Sequence, residues 1–288
     1  MIASLNRFIQ INRPLAITAL ASALMVGGCS HSQSSPENQP DSTQAALTFP
    51  DLSFRSDAEQ SRDHYRNPKQ TLAFFELKND DTVVEIWPGG GWYSQIIAPT
   101  LRDQGQLIAA HWPKDSKVGF FRRLRASFDD KFLTNPERYG RIQISELEPP
   151  QHLQLAEPSS ADKVLTFRNV HNWMRNNQEQ AVFNAAFTAL KPGGILGVVE
   201  HRAPDSFSYD KMVESGYVSE SYVKQLARQA GFEFVAASEI NANANDSKDH
   251  PKGVWTLPPS LRLGDKEREK YLAIGESDRM TLKFRKPQ

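Results

Sequence analysis

Three of the seven histidines fall just after apolar, strand-like runs: His111 after 106–110, His171 after 163–167 and His201 after 195–200. Imidazole is suited to proton transfer near neutral pH and to metal ligation. Arg168, Asn169 and Asn172 stand beside His171, and Glu200 beside His201. His171 and His201 are the candidate catalytic residues, as general acid, general base or substrate-orienting groups. Each histidine could also do no more than satisfy nearby backbone or water. A metal centre has less support, because no His-x-x-x-His and no carboxylate-spaced pair accompanies them. Cys29 is the one cysteine, so a cysteine metal cluster and an intramolecular disulfide are excluded.

Two other stretches hold residues that could contact a ligand. The first is Val84-Glu85-Ile86-Trp87-Pro88-Gly89-Gly90-Gly91-Trp92-Tyr93. Consecutive glycines let a backbone turn sharply and approach a ligand with no Cβ in the way. The helix that follows would offer free N–H groups to a polar ligand. Taken alone, the turn also suits a plain tight connection. The second stretch is 241–279, where His250, Trp255, Glu276 and Arg279 are candidates for a substrate wall. Long insertions in compact domains often act as lids. A surface excursion with a helix over 265–272 is the alternative, and Glu276, Asp278 and Arg279 also suit a structural salt bridge.

The elements that must position these residues alternate. β-Branched or apolar runs predict strands at 82–86, 106–110, 141–144, 163–167, 195–200, 232–240 and 280–284. Helical spacing predicts helices over 57–77, with a break at Pro68, and over 93–101, 118–132, 178–190 and 220–230, the last ended by Gly231. Lys191-Pro192-Gly193-Gly194 reads as a turn. This alternation predicts an α/β domain with a mostly parallel, doubly wound sheet. Ligands of such sheets bind outside the carboxyl ends of the strands, which is where the three histidines and Asn169 fall.

Lys plus Arg number 34 and Asp plus Glu number 34, so net charge gives no reason to expect a nucleic-acid partner. Arg7 and Arg13 precede a short apolar run and then Gly27-Gly28-Cys29. That pattern predicts a secretory signal over 1–28, with an uncleaved anchor helix as the alternative. Polar residues make 29–50 a flexible tether, leaving 51–288 as the folded domain. Leu24-Met25-Val26-Gly27-Gly28-Cys29 resembles the bacterial lipoprotein box. The resemblance implies a lipidated Cys29 holding the protein on a membrane. Ser30 resembles the outer-membrane sorting pattern, which implies a location facing the periplasm.

From about residue 71 to 286 the chain resembles the class I S-adenosylmethionine (SAM)-dependent methyltransferases. The glycine turn, the Ala189 to His201 helix-turn-strand and Gly231-Phe232-Glu233-Phe234 before a late final strand carry the likeness. The chain is more closely similar to a family of predicted methyltransferases that pair Glu85-Ile86-Trp87-Pro88-Gly89-Gly90-Gly91-Trp92-Tyr93 with a Gly275-Glu276-Ser277-Asp278-Arg279-Met280 segment. The resemblance implies a Rossmann-like seven-stranded sheet with a C-terminal antiparallel hairpin, here carrying the 241–279 insertion. It implies SAM as cofactor, a small-molecule acceptor, and a cofactor set of Glu85, Trp87, Gly89, Gly90, Gly91, His111 and Asn169. Glu85 would meet backbone or a ligand amine. Two positions depart from the general pattern. Trp87 replaces the first of three spaced glycines, where an indole would crowd the pocket floor. His111 stands where an acidic residue normally takes both ribose hydroxyls. Two other readings stay open: a tethered, non-catalytic ligand-binding protein, and a histidine-using enzyme that does not employ SAM.

Overall fold

The computed structural model describes residues 47–288. The segments expected to be a signal and a tether, with Cys29, lie outside the described residues except for 47–50. No helix among the described residues is long and apolar enough to cross a membrane.

Three short helices come first: α1 (Asp57–Gln60), α2 (Asp63–Arg66) and α3 (Pro68–Phe74). They replace most of the helix expected over 57–77. Proline starts a helix more readily than it continues one. Before it, Asn67 adopts the left-handed conformation at φ 39° and donates its side-chain amide to the Ile240 carbonyl at 2.7 Å. The chain is therefore re-aimed at Asn67, after Arg66 at the end of α2 and Arg62 at its start have both been placed along one cavity.

The alternating series follows. It runs β1 (Thr82–Ile86), α4 (Ser94–Leu101), β2 (Gln106–His111), α5 (Gly119–Phe128), α6 (Pro136–Tyr139) and β3 (Gln143–Glu146). It continues through β4 (Ala161–Phe167), α7 (Val170–Met174), α8 (Glu179–Ala189) and β5 (Leu190–Ala203). Then come α9 (Tyr209–Ser215), β6 (Val218–Ser219), α10 (Glu220–Ala230) and β7 (Glu233–Ser238). Within the insertion lie β8 (Pro251–Val254) and α11 (Arg268–Ile274), and β9 (Arg279–Arg285) closes the chain.

The sheet order is β3-β2-β1-β4-β5-β9-β7, with β6 pairing onto β5. β1 to β5 pair in parallel, while β9 lies antiparallel between β5 and β7. The expected fold class stands. The pleat explains why the central strands are apolar almost throughout. Val83, Leu107, Leu165 and Val199 enter one apolar cluster, while Val84, Ile108, Val164 and Leu196 enter the other. Alternate residues thus bury against helices on opposite faces. Each such side chain contributes about 1.5–3 kcal/mol by leaving water.

Local chemistry sets several boundaries. Ser219 caps α10 by accepting from the Tyr222 N–H at 3.3 Å, and Gly231 ends it at φ 102°. The helix expected over 118–132 stops at Phe128 and passes into a π-helical turn, Asp129–Leu133. That turn lets the buried rings of Phe128 and Phe132 stack at 4.4 Å beneath the glycine turn. Residues 191–194 form no free turn. Leu190 already pairs with Ala161, and the segment is taken into β5 as an irregularity before Ile195 pairs with Lys163. Gly193 N–H donates to Lys286 O and Lys286 N–H to Gly194 O, so β9's end holds it in place.

Candidate functional site

The strand order reverses between β1 and β4, which opens a crevice outside their carboxyl ends. A cavity of about 490 Å³ lies there. Of the residues singled out in the sequence, Glu85, Trp87, Gly89, Gly90, Asn169, His171, His201, Trp255 and Arg279 line it, whereas Gly91, His111, His250 and Glu276 do not.

The glycine turn divides into an open half and a packed half. Gly89 has φ 61°, and a Cβ at Gly89 or Gly90 would meet nothing within 4 Å. Both backbones can therefore be approached from the cavity. Gly91 is different: at φ 76°, a Cβ would lie 2.3 Å from the Phe132 ring. Gly91 is required for packing against Phe132. Trp87 occupies the left-handed region at φ 44°, the conformation glycine would take without strain. Its indole N–H donates to Leu147 O at 2.9 Å, and the ring packs on Trp112, Phe121 and Trp173. Rather than crowding the floor, the indole is drawn into this aromatic cluster and only 9% of the residue is exposed.

His111 sits behind the turn, not in the cavity. Its Nδ1 accepts the Trp112 N–H at 2.9 Å, so the neutral ring carries its proton on Nε2, which donates to Gly89 O at 3.1 Å. Both ring nitrogens are thereby used to hold the turn. Burial pushes the imidazole down to about 4. Glu85, at the end of β1, accepts from Ser94 Oγ at 2.6 Å, and burial raises its carboxyl to about 7. The Asn169 amide donates to Ile86 O at 2.9 Å and ties the end of β4 to that of β1.

His171, in α7, is held by Glu200 from the end of β5. His171 Nδ1 lies 3.0 Å from Glu200 Oε1, and the carboxylate is fully buried. Glu200 Oε1 also accepts the His201 N–H at 2.8 Å, which fixes the carboxylate. A carboxylate on Nδ1 leaves Nε2 as the nitrogen available for proton transfer. His201 Nδ1 meets Ser277 Oγ at 2.5 Å, and the two imidazole centroids are 5.3 Å apart. Burial, with His171 and the nearby arginines, holds His201 well below its ordinary value, so it stays neutral. Ligand atoms of His171, Glu200 and His201 lie within 4.8 Å of one another, close enough for a divalent cation. The guanidiniums of Arg279, Arg168 and Arg66 act on the same place and oppose one.

The insertion supplies one wall. Val254, Trp255, Pro258 and Pro259 face the cavity, and Trp255 stands 5.9 Å from His171 with Arg175 and Arg262 against its ring. His250 instead binds Asp246 at 2.8 Å with its side chain buried. Asp246 also accepts from the Tyr217 hydroxyl and from the Lys248 and Asp278 N–H groups. Glu276 accepts from Arg62 Nε at 2.6 Å, from Arg66 Nε at 3.0 Å and from Arg279.

Arg62, Arg66, Arg168, Trp92, Tyr93 and Trp112 also line the cavity. Arg62, Arg66 and Trp112 were not singled out in the sequence, whereas Trp92, Tyr93 and Arg168 lie in or beside stretches that were. Arg62 and Arg66 carried a readable signal, since four residues apart on a helix they share a face. Tyr93 and Trp92 pin that helical segment down: the Tyr93 hydroxyl donates to Arg66 O and the Trp92 indole to Glu59 O, both at 3.1 Å.

Five parallel strands, a crevice at the reversal of strand order and an antiparallel last strand define the class I methyltransferase fold. Solved structures agree. The chain superposes on a SAM-dependent methyltransferase from Aquifex aeolicus with a TM-score of 0.53 and 14% identity, covering 82% of this chain and 99% of that one. A candidate sarcosine dimethylglycine methyltransferase from Galdieria sulphuraria gives 0.54 at 12% identity, covering 82% and 89%. The [4+2]-cyclase SpnF gives 0.52 at 18% identity, covering 77% and 80%. At these identities the likeness is one of fold. No protein-family model matches the chain, and no curated protein matches it.

Proposed function

We propose that the protein transfers a methyl group from SAM to a small-molecule acceptor. The observation that carries this reading is one cavity in which the open Gly89-Gly90 backbone faces a carboxylate-held histidine, His171. The residues fit the cofactor. Gly89 and Gly90 admit close approach, Glu85 offers a carboxyl to an ammonium, and Asn169 lines the same cavity. Trp112, in the wall, carries a buried indole N–H with no acceptor among the described residues. When bound, the cofactor would supply a sulfonium methyl for the acceptor's lone pair, with the carbon–sulfur bonding pair left on sulfur. His171 Nε2 receives the acceptor's proton, and Glu200 orients the ring and stabilises the imidazolium that results. Trp255 and the two prolines exclude water from that side.

Calorimetric titration of the purified protein with SAM and S-adenosylhomocysteine tests the reading; no heat at millimolar ligand would remove it. One observation favours a second reading. His111 has both ring nitrogens engaged, so the usual acceptor for the ribose hydroxyls is missing. An acid–base enzyme built on His171 and Glu200 without SAM would be unaffected by that loss. It predicts turnover chemistry that depends on His171 but no nucleoside binding. We further propose that lipidated Cys29 holds the domain on the outer membrane, facing the periplasm. Cys29→Ser should shift the protein from the membrane fraction to the soluble periplasmic fraction, and an unchanged distribution would count against it.

A further inference from the structure

The cavity wall holds more positive charge than the chain neutralises. Arg62 caps the start of α2 and Arg66 is its last residue, Arg168 follows β4, and Arg279 is the first residue of β9. Glu276 is the carboxylate that binds three of them, Arg62, Arg66 and Arg279. Two of the guanidiniums remain partly unsatisfied: Arg66 Nη1 and Arg279 Nε are buried and have no acceptor among the described residues. Both residues are 2% exposed. Arg168 makes no side-chain hydrogen bond or ion pair among the described residues, and its backbone is held at φ 63°, an unusual conformation for an arginine. Dehydration, with Arg279 next, pushes its guanidinium down to about 10, so it stays charged at neutral pH. Buried donors without acceptors are costly. Guanidiniums are the groups that bind carboxylate and phosphate oxygens in a fixed, forked geometry. The other carboxylates of the wall are committed elsewhere. Glu59 is bound by Lys131 and Gln95, and Glu85 is raised towards its neutral form.

We propose that the acceptor is an oxyanion, a carboxylate- or phosphate-bearing small molecule whose charge is received by Arg168, Arg62, Arg66 and Arg279. It rests on the methyl-transfer reading only in calling the ligand an acceptor; the anion site itself does not require SAM. The positions support this use. Arg279 stands directly opposite His201 in the β5–β9 ladder, and His201 lies beside His171. An anion held there keeps its nucleophile within the same cavity as the base.

The cofactor's own carboxylate is the competing source of negative charge, and the test separates the two. Malonate and inorganic phosphate are titrated calorimetrically into the free protein and into protein saturated with S-adenosylhomocysteine. 5′-Methylthioadenosine, which lacks the carboxylate, is titrated alongside. At least one anion should bind both forms, and Arg168→Gln should weaken it about tenfold or more while 5′-methylthioadenosine binding is unchanged. Arg62→Gln, at the solvent side, gives a second variant with less risk to folding, and melting temperatures check both. Failure of both anions on both forms overturns the proposal. Displacement of the anion by S-adenosylhomocysteine but not by 5′-methylthioadenosine also overturns it, because the arginines then serve the cofactor. Anion binding without any nucleoside binding keeps the anion site and removes the methyl-transfer reading instead.

Discussion

Replacing Glu85 with glutamine should change how stability depends on pH. In the folded protein this carboxyl is 2% exposed and titrates near 7 against an ordinary 4.5, because burial penalises its charge. A raised pKa means that the folded state holds its proton longer than the unfolded chain. The stability gained is full below pH 4.5 and is lost as pH rises through 7. At about 1.4 kcal/mol per pH unit, the loss is about 3 kcal/mol. His111 works in the opposite sense. Its folded value of about 4 lies below the ordinary 6.5, so its contribution is present above pH 6.5 and lost as pH falls through 4. The magnitude is again about 3 kcal/mol. Between pH 4.5 and 6.5 the two slopes offset, and the wild type should be nearly flat from this pair. A glutamine oxygen can still accept from Ser94 Oγ, but it never ionises. The variant should therefore match the wild type below pH 4.5 and exceed it by about 3 kcal/mol at pH 8. Urea unfolding at half-unit steps from pH 4 to 8 reads this difference directly. Parallel profiles for the two proteins would refute the reasoning, because Glu85 would then ionise as readily folded as unfolded.

Gly91→Ala should destabilise the fold by about 2–4 kcal/mol, since the new methyl meets the Phe132 ring and the backbone stays left-handed; denaturant midpoints check it, and a loss under 0.5 kcal/mol would contradict the packing role. His171→Gln should leave S-adenosylhomocysteine affinity unchanged and lower transfer to an acceptor by about 10²–10⁴-fold; undiminished turnover would remove His171 as the base. Asp246→Asn should cost about 2–4 kcal/mol, because a buried acceptor of several hydrogen bonds becomes in part a donor. Proteolysis of the 241–279 segment should accelerate with it, and equal cleavage rates would argue that Asp246 does not anchor that segment.

Much of the fold was legible because it depends on local pattern. The apolar runs gave the parallel strands, and the helix expected over 220–230, ended by Gly231, matches α10 to the residue. The turn at Gly89 was legible as an open backbone, and His171 and His201 do reach the cavity. What escaped depends on partners distant in sequence. The 191–194 turn signal was overridden by pairing with Lys286. His111 was expected at the ligand because it ends β2, but Gly89 O and the Trp112 N–H claim its nitrogens. Asp246 sits in a polar run that gives no hint of burial. The spacing of Arg62 and Arg66 shows a shared face but not what it meets, because their counter-charge lies more than 200 residues later.

The wide separation of α2 from Glu276 and Arg279 also bears on when the site comes into being. Contacts across 214 and 210 residues join the first helical segment to Glu276, just before the final strand. The parallel half of the sheet can assemble from the first two-thirds of the chain, whereas the arginine wall needs both ends. Closing so large a loop is slow compared with local pairing. The pocket is thus a late product of folding, and a ribosome-bound chain whose last segment has not emerged would have the parallel strands without the site. Ligand protection in refolding experiments should accordingly appear only in the last kinetic phase.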